Sequence, residues 1–310
     1  MKITVLGGGA WGSTLAELAK RQNHQVKVWT RSDDLATALA AADVVIVALS
    51  MRGVSEVANK VKAIGLAPHT ILVSGTKGLD LTTGRTPSQI WQSCFPTTPL
   101  AVLSGPNLST EIRQGLPAAS VVASVDMAVA QTVQRAISSR NFRLYTNPDP
   151  LGVELGGTLK NVIAIGVGVC DGLKLGANAK AALITRALPE IIRIGVDYGA
   201  QPETFWGLSG LGDLLATCNS PLSRNYRVGL ALAEGKTLKE ILAHLEGTAE
   251  GVYTAQVIAH KTHLYTPICT IVYRLLQGEL TPHQAVADLL DRDLRSEFDN
   301  TTACEPRRTT

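Results

Sequence analysis

The chain has 310 residues, enough to bury two cores, with 45% hydrophobic and 18% charged residues and a net charge of only +3. Charge this small and dispersed excludes a nucleic-acid-binding surface while leaving small anionic ligands open. Five cysteines (Cys94, Cys170, Cys218, Cys269 and Cys304), odd in number and without C-x-x-C spacing, suggest neither a disulfide framework nor a metal site.

Met1 leads straight into a strand pattern, so no signal peptide is expected. Asp43, Asp171 and glycines break the apolar runs short of a membrane span, and the reading is a cytoplasmic protein. Residues 2–6 are β-rich and are followed at once by Gly7-Gly-Gly-Ala-Trp-Gly12 and a helical pattern over 13–21. This is G-x-G-x-x-G in its strand–turn–helix context. Gly7 permits the turn, Gly9 lets a pyrophosphate approach the backbone, and Gly12 lets helix and strand pack closely. Free N–H groups and the positive end of the helix dipole then favour phosphates.

Residues 25–29 are the second strand. Where an NAD-specific fold places an acid for the ribose 2′-OH, this chain has Thr30 and Arg31. Arg31 suits a 2′-phosphate and weakly favours NADP(H), while Asp33 and Asp34 keep NAD(H) open; a solvated loop arginine is the alternative. Residues 43–49 form the near-continuous apolar strand that a doubly covered parallel sheet needs. A helix over 53–64 leads to a strand at 70–73 and then Ser74-Gly-Thr-Lys-Gly-Leu79. Lys77 therefore lies just past a strand's carboxyl end, where open α/β sheets bind ligands, with a solvated loop lysine as the alternative. Residues 100–103 are the next strand and end in Ser104-Gly-Pro-Asn107. Strands at 119–124 and 142–146 follow, with a helix at 126–137 between them. Asn147-Pro-Asp-Pro150 is the clearest punctuation in the chain, so domains are expected at 1–148 and 149–310.

Beyond it the pattern is helical. Leu155, Leu159, Val162, Ile163, Ile165 and Val167 recur without a clear polar face, which predicts a buried helix, and Lys160 sits inside that run. A buried ammonium needs a paired carboxylate or a lowered pKa. A lysine drawn toward neutrality both gives and takes protons. The plainer alternatives are a head group snorkelled to water or paired with Glu154. A second helix covers 179–198, and the glycine-rich turn from Gly207 to Asp213 opens a third. Ser220-Pro-Leu-Ser-Arg-Asn225 offers two N-cap serines and a first-turn proline. Arg224 and Asn225 there make either a phosphate cradle or simply a capped helix end. Helices at 237–245, 254–260, 268–277 and 282–290 complete an all-α half, interrupted by Gly247-Thr-Ala-Glu-Gly251. His260 and His263, three apart, read as a solvated helix face rather than metal ligands. The polar tail from about Ser296 is expected to be disordered.

Taken together, these motifs resemble the NAD(P)-dependent sn-glycerol-3-phosphate dehydrogenases of the phospholipid-precursor pathway. The likeness runs through G-G-G-A-W-G-S-T-L-A at 7–16, S-G-T-K-G-L at 74–79, L-S-G-P-N at 103–107 and E-L-G-G-T-L-K-N-V-I-A-I at 154–165. It continues in G-L-K-L-G-A-N-A-K-A-A-L-I-T-R at 172–186, G-L-G-D-L-L-A-T-C at 210–218, S-R-N at 223–225 and A-E-G-V-Y-T at 249–254. The resemblance implies an α/β Rossmann N-terminal domain plus an all-α C-terminal domain like that of 6-phosphogluconate dehydrogenase, with the site in the cleft between them.

On that likeness Lys160 is the general acid/base, acting with Lys77 and Asp213. Lys77, Gly105, Asn107, Asn161, Asp213, Thr217, Ser223, Arg224 and Asn225 are the implied substrate-binding positions. Gly7, Gly9, Ala10, Trp11, Gly12, Arg31, Lys77, Ser109, Arg224 and Glu250 are the implied contacts for NADP(H) or NAD(H). The implied substrate is dihydroxyacetone phosphate or sn-glycerol 3-phosphate, and the apolar helical half suits a homodimer interface. One departure stands out: only residues 32–42 separate the second and third strands, room for one short helix, where the family has a longer loop and an extra strand. Two rival readings keep the fold: a dehydrogenase of non-phosphorylated hydroxyacids, and a nucleotide-sensing regulator that binds NADPH without consuming it.

Overall fold

A computed structural model of the chain describes residues 1–261, 263–292 and 297, with the backbone alone at Lys261. Apart from Glu297, the tail expected to be disordered lies outside the described residues.

The first half alternates strand and helix: β1 (Lys2–Leu6), α1 (Ala10–Arg21), β2 (Gln25–Trp29), α2 (Leu35–Leu39), β3 (Val44–Val47), α3 (Met51–Ile64) and β4 (Ile71–Ser74). It continues with α4 (Pro87–Cys94), β5 (Leu100–Ser104), α5 (Ser109–Arg113), β6 (Ala118–Ala123), α6 (Met127–Ile137) and β7 (Phe142–Asn147). The strands form one sheet in the order β2-β1-β3-β4-β5-β6-β7, parallel except where β5 meets β6. Strand order therefore reverses between β1 and β3, which opens a crevice at their carboxyl ends. β3 and β4 are buried at every position, because helices cover both faces of the sheet. Ile3, Val5, Leu15, Ile46, Val73 and Phe142 build the core on one face, and Leu6, Trp29, Val45, Val54, Leu72 and Trp91 build it on the other. The short 32–42 connection folds as α2 alone, capped by Asp34, whose side chain accepts from Thr37 N–H. The α4 and α5 helices were not anticipated. Each is short, and α4 owes its start to a local capping box in which Thr86 and Gln89 satisfy one another's free N–H groups.

From Pro150 onward the chain is helical: α7 (Pro150–Gly172), α8 (Gly176–Asp197), α9 (Asp213–Cys218), α10 (Arg224–Ala233), α11 (Leu238–His244), α12 (Glu250–Lys261), α13 (Pro267–Leu276) and α14 (Pro282–Leu290). α7 starts at a proline behind Asp149, whose carboxylate caps Gly152 N–H and also accepts from Gln201 N–H and the Thr204 hydroxyl. It is 23 residues long and apolar enough by length and composition to cross a membrane, contrary to the expectation from its interruptions. However, 94% of its apolar window is buried inside the fold, so it is a core helix. Around it, Leu155, Leu159, Val162, Ile163 and Val167 form the second core with residues of α8, α10, α12 and α13. Val153 of α7 packs with Val102, Val121 and Ala123 of β5 and β6 and joins the two halves. His263 lies beyond the end of α12, so it shares no helix face with His260.

Candidate active site

The glycine turn is built as its spacing requires. Gly7 has a φ of +117°, and a Cβ there would lie 2.5 Å from the Ala48 carbonyl oxygen across the crevice. A Cβ on Gly12 would meet the Gly7 carbonyl at 1.9 Å, so glycine is what lets α1 pack against the turn. Gly9 is the N-cap of α1, and a Cβ on it would meet nothing within 4 Å, so its backbone faces open space at the helix N-terminus. Ala10 and Trp11 follow in the first turn of α1. The Trp11 indole nitrogen is buried without a partner among the described residues, close to Gly75. Open backbone at a helix N-terminus beside an unpaired donor fits a dinucleotide pyrophosphate and its neighbouring ring. Past β2, Arg31 is exposed and forms no ion pair among the described residues. The two acids beside it are already occupied: Asp33 accepts from the Thr30 N–H and hydroxyl, and Asp34 caps α2.

Across the crevice the carboxyl ends of β4 and β5 meet α7 and α9. Asp213, 1% exposed, accepts from Lys160 Nζ at 2.7 Å on Oδ1 and from Lys77 Nζ at 2.5 Å on Oδ2. Lys160 also bonds the Thr217 hydroxyl, which is 3.1 Å from the same Asp213 oxygen. Lys77 donates further to the Gly105 carbonyl at 3.1 Å. Lys160 is 5% exposed, so it neither snorkels nor pairs with Glu154, whose carboxylate is taken by Ser74 and Ser88. Burial draws the Lys160 ammonium down to about 8; Asp213 opposes that shift and the charge on Lys77 adds to it. An amine that ionises near neutral pH, fixed on a carboxylate, can both give and take a proton. Gly157 is what permits the approach: a Cβ there would fall 2.1 Å from Ser104 Oγ and 3.3 Å from the Lys77 side chain.

The other expected residues form a rim. Asn107 accepts from the Ser120 hydroxyl, while its own amide nitrogen is buried and unpaired among the described residues, as is Ser104 Oγ. Asn161 Oδ1 accepts from Asn225, whose own Oδ1 accepts from Gly251 N–H, so α7, α10 and α12 are tied together. Ser223, not Ser220, caps α10 by accepting from Tyr226 N–H, and Pro221 stays outside that helix. Arg224 therefore opens α10, with its guanidinium against Gly247. Glu250 reaches across to Met51 N–H at the start of α3; burial raises its carboxyl, and that hydrogen bond and Arg224 draw it back. Ser109 opens α5, and neither it nor Arg31 bonds the rest of the site among the described residues. Sequence reasoning missed the bonds made by Glu154 and by Thr158, which accepts from Gly78 N–H at 3.0 Å. A glutamate and a threonine within an otherwise apolar run were the available signal.

A strand-order reversal over a glycine turn, faced by a proton-exchanging lysine on the helix across its carboxyl edge, defines the class: a Rossmann-type nicotinamide-nucleotide oxidoreductase with a helical second domain. Comparison with known proteins narrows this. Residues 2–36 and 30–130 match the family model described as NAD-dependent glycerol-3-phosphate dehydrogenase N-terminus, and residues 149–287 match the C-terminus of the same family. The chain belongs to the NAD-dependent glycerol-3-phosphate dehydrogenase family. It is 61% identical over 301 residues to the glycerol-3-phosphate dehydrogenase [NAD(P)+] of Nostoc sp. (strain PCC 7120), covering 96% of this chain and 98% of that one. The Trichormus variabilis enzyme of the same name is 60% identical over the same shares. Among solved structures, glycerol-3-phosphate dehydrogenase from Coxiella burnetii superposes with a TM-score of 0.88 at 34% identity, covering 94% of this chain and 99% of that one.

Proposed function

We propose that this chain catalyses the reversible reduction of dihydroxyacetone phosphate to sn-glycerol 3-phosphate with NAD(P)H, for glycerophospholipid synthesis. The observation that carries the reading is Asp213 held between the buried Lys160 amine, drawn down to about 8, and the half-buried Lys77 amine. In this reading residues 1–148 grip the nucleotide and add Lys77, Gly105 and Asn107 to the site, and residues 149–310 supply Lys160, Asp213 and the phosphate-binding residues. When bound, the nicotinamide supplies or accepts the hydride. Gly7, Gly9, Ala10, Trp11 and Gly12 would hold the pyrophosphate side, with Lys77, Ser109, Arg224 and Glu250 closing over the nicotinamide side.

Lys160 Nζ holds the proton given to the ketone oxygen on reduction and retakes it on oxidation, a contribution of about 10²–10⁴-fold. Lys77, beside the same carboxylate, stabilises negative charge developing on that oxygen. Asp213 and Thr217 orient Lys160. Arg224 with Ser223 and Asn225 at the start of α10 binds the phosphate, and Gly105, Asn107 and Asn161 line the remaining wall. Arg31 favours NADP(H), because both neighbouring acids are spent on backbone caps. The reading also places the protein in the cytoplasm as a homodimer joined through the helical half, where Leu175, Val196 and Leu290 are exposed; sedimentation checks the latter.

The test is NADPH consumption with dihydroxyacetone phosphate by wild type and Lys160→Ala. A loss of at least about 10²-fold in kcat is expected. Undiminished turnover by the variant would remove Lys160 from the mechanism. Equal activity on a non-phosphorylated hydroxyacid would overturn the substrate assignment.

A further inference from the structure

Two side chains on α7 grip the β4 loop that carries Lys77. The Glu154 carboxylate is fully buried and accepts from the Ser74 hydroxyl at 2.7 Å, from Ser88 N–H at 3.0 Å and from the Ser88 hydroxyl. One turn further on, the Thr158 hydroxyl accepts from Gly78 N–H at 3.0 Å. Ser74 and Gly78 flank Lys77, and Glu154 and Thr158 precede Lys160 on one helix. Ser88 lies in the first turn of α4, so Glu154 also caps that helix from another part of the chain. Among the described residues Glu154 forms no ion pair, and its partners are neutral donors. Burial raises the Glu154 carboxyl and the hydroxyl and N–H donors around it draw it back. Those donors lie on the β4 loop and α4, so what the side chain fixes is the place of that loop against α7.

We propose that Glu154 and Thr158 are positioning residues, a two-point clasp that holds the β4 loop so that Lys77 reaches the Asp213 carboxylate to which Lys160 is bonded. The inference rests on the activity proposed above for its kinetic arm, but its main readout does not. The charged or titratable groups facing Lys160 are Asp213, Lys77 and Cys218. None of them is altered in the test.

The experiment compares wild type, Glu154→Ala, Thr158→Val and Glu190→Ala. Glu190 is a matched control: it is equally buried and caps α13 through Ile268 and Cys269 N–H, away from the β4 loop. The pH dependence of Lys160 modification by a small amine-reactive reagent is read by mass spectrometry, beside kcat and melting temperature. If the clasp is loosened, the β4 loop carries Lys77 away and water reaches Lys160 while Asp213 stays in place on α9. Both lowering influences then weaken, and the midpoint should rise by about one pH unit or more in both clasp variants. Turnover should fall about 10–100-fold, with the KM for cofactor little changed. Glu190→Ala should lose stability and keep both the midpoint and kcat. A wild-type midpoint recovered in Thr158→Val or Glu154→Ala overturns the clasp, as does a shift of equal size in Glu190→Ala. Should the wild type fail to turn over dihydroxyacetone phosphate, the activity assignment falls while the modification profiles still decide the clasp.

Discussion

Replacing Asp213 by asparagine tests the electrostatic core of the site while leaving its shape nearly intact. The carboxylate is 2.7 Å from Lys160 and 2.5 Å from Lys77, and among the described residues these are its ion pairs. Removing one partner of a buried pair costs about 3–5 kcal/mol. Shared between two lysines, about 2 kcal/mol falls on Lys160, equivalent to roughly 1.5 pH units. Lys160, already drawn to about 8, would then titrate correspondingly lower. Reduction needs the protonated amine, so its kcat/KM is level at low pH and falls as pH rises through about 8; oxidation follows the opposite course. In Asp213→Asn both limbs move to lower pH. At neutral pH the protonated share drops about fourfold on that ground alone, before any loss of alignment is counted. The assay is kcat/KM for dihydroxyacetone phosphate reduction across the neutral and alkaline range, together with the reverse reaction. A limb that stays near 8 in the variant would refute the argument that this carboxylate holds the proton on Lys160.

Arg31→Ala should raise the KM for NADPH about 10–100-fold, the value of one or two charge-assisted hydrogen bonds, and leave NADH nearly unchanged; an equal effect on both cofactors would remove Arg31 from the 2′-phosphate. Gly157→Ala puts a methyl 2.1 Å from Ser104 Oγ, so an overpacking loss of about 1–3 kcal/mol in denaturant unfolding and a fall in kcat are expected together. Burial raises the Glu190 carboxyl to about 7. Between its unfolded value near 4.5 and about 7 the folded state holds a proton that the unfolded state has released, so stability from this group falls as pH rises through that window. Glu190→Gln should therefore gain on wild type in melting temperature from pH 5 to pH 7.5, and parallel curves would count against it.

Much of this architecture is local in origin and shows in the residue order. Strand alternation, the Gly7–Gly12 turn and the Asn147–Pro150 break depend on near neighbours, so they can be read without a structure. The start of α10 could not be settled that way, because Ser220 and Ser223 are both competent caps; in the fold Ser223 caps the helix and Ser220 accepts from Leu222 N–H in the turn before it. The partner of Lys160 was likewise open. Glu154 lies close in sequence, but its carboxylate points toward the β4 loop, and the bond is made by Asp213, 53 residues away.

The order of residues along this chain settles which groups are available: a phosphate-binding turn, a lysine in an apolar helix, an arginine at a helix start. Folding alone decides which of them share a volume. Lys77 and Asp213 are 136 residues apart and meet only because α7 lies across the carboxyl edge of the sheet. The depressed pKa of Lys160 has the same origin, since exclusion of water and the charge of a distant lysine are properties of a packed cavity and leave no mark on neighbouring residues.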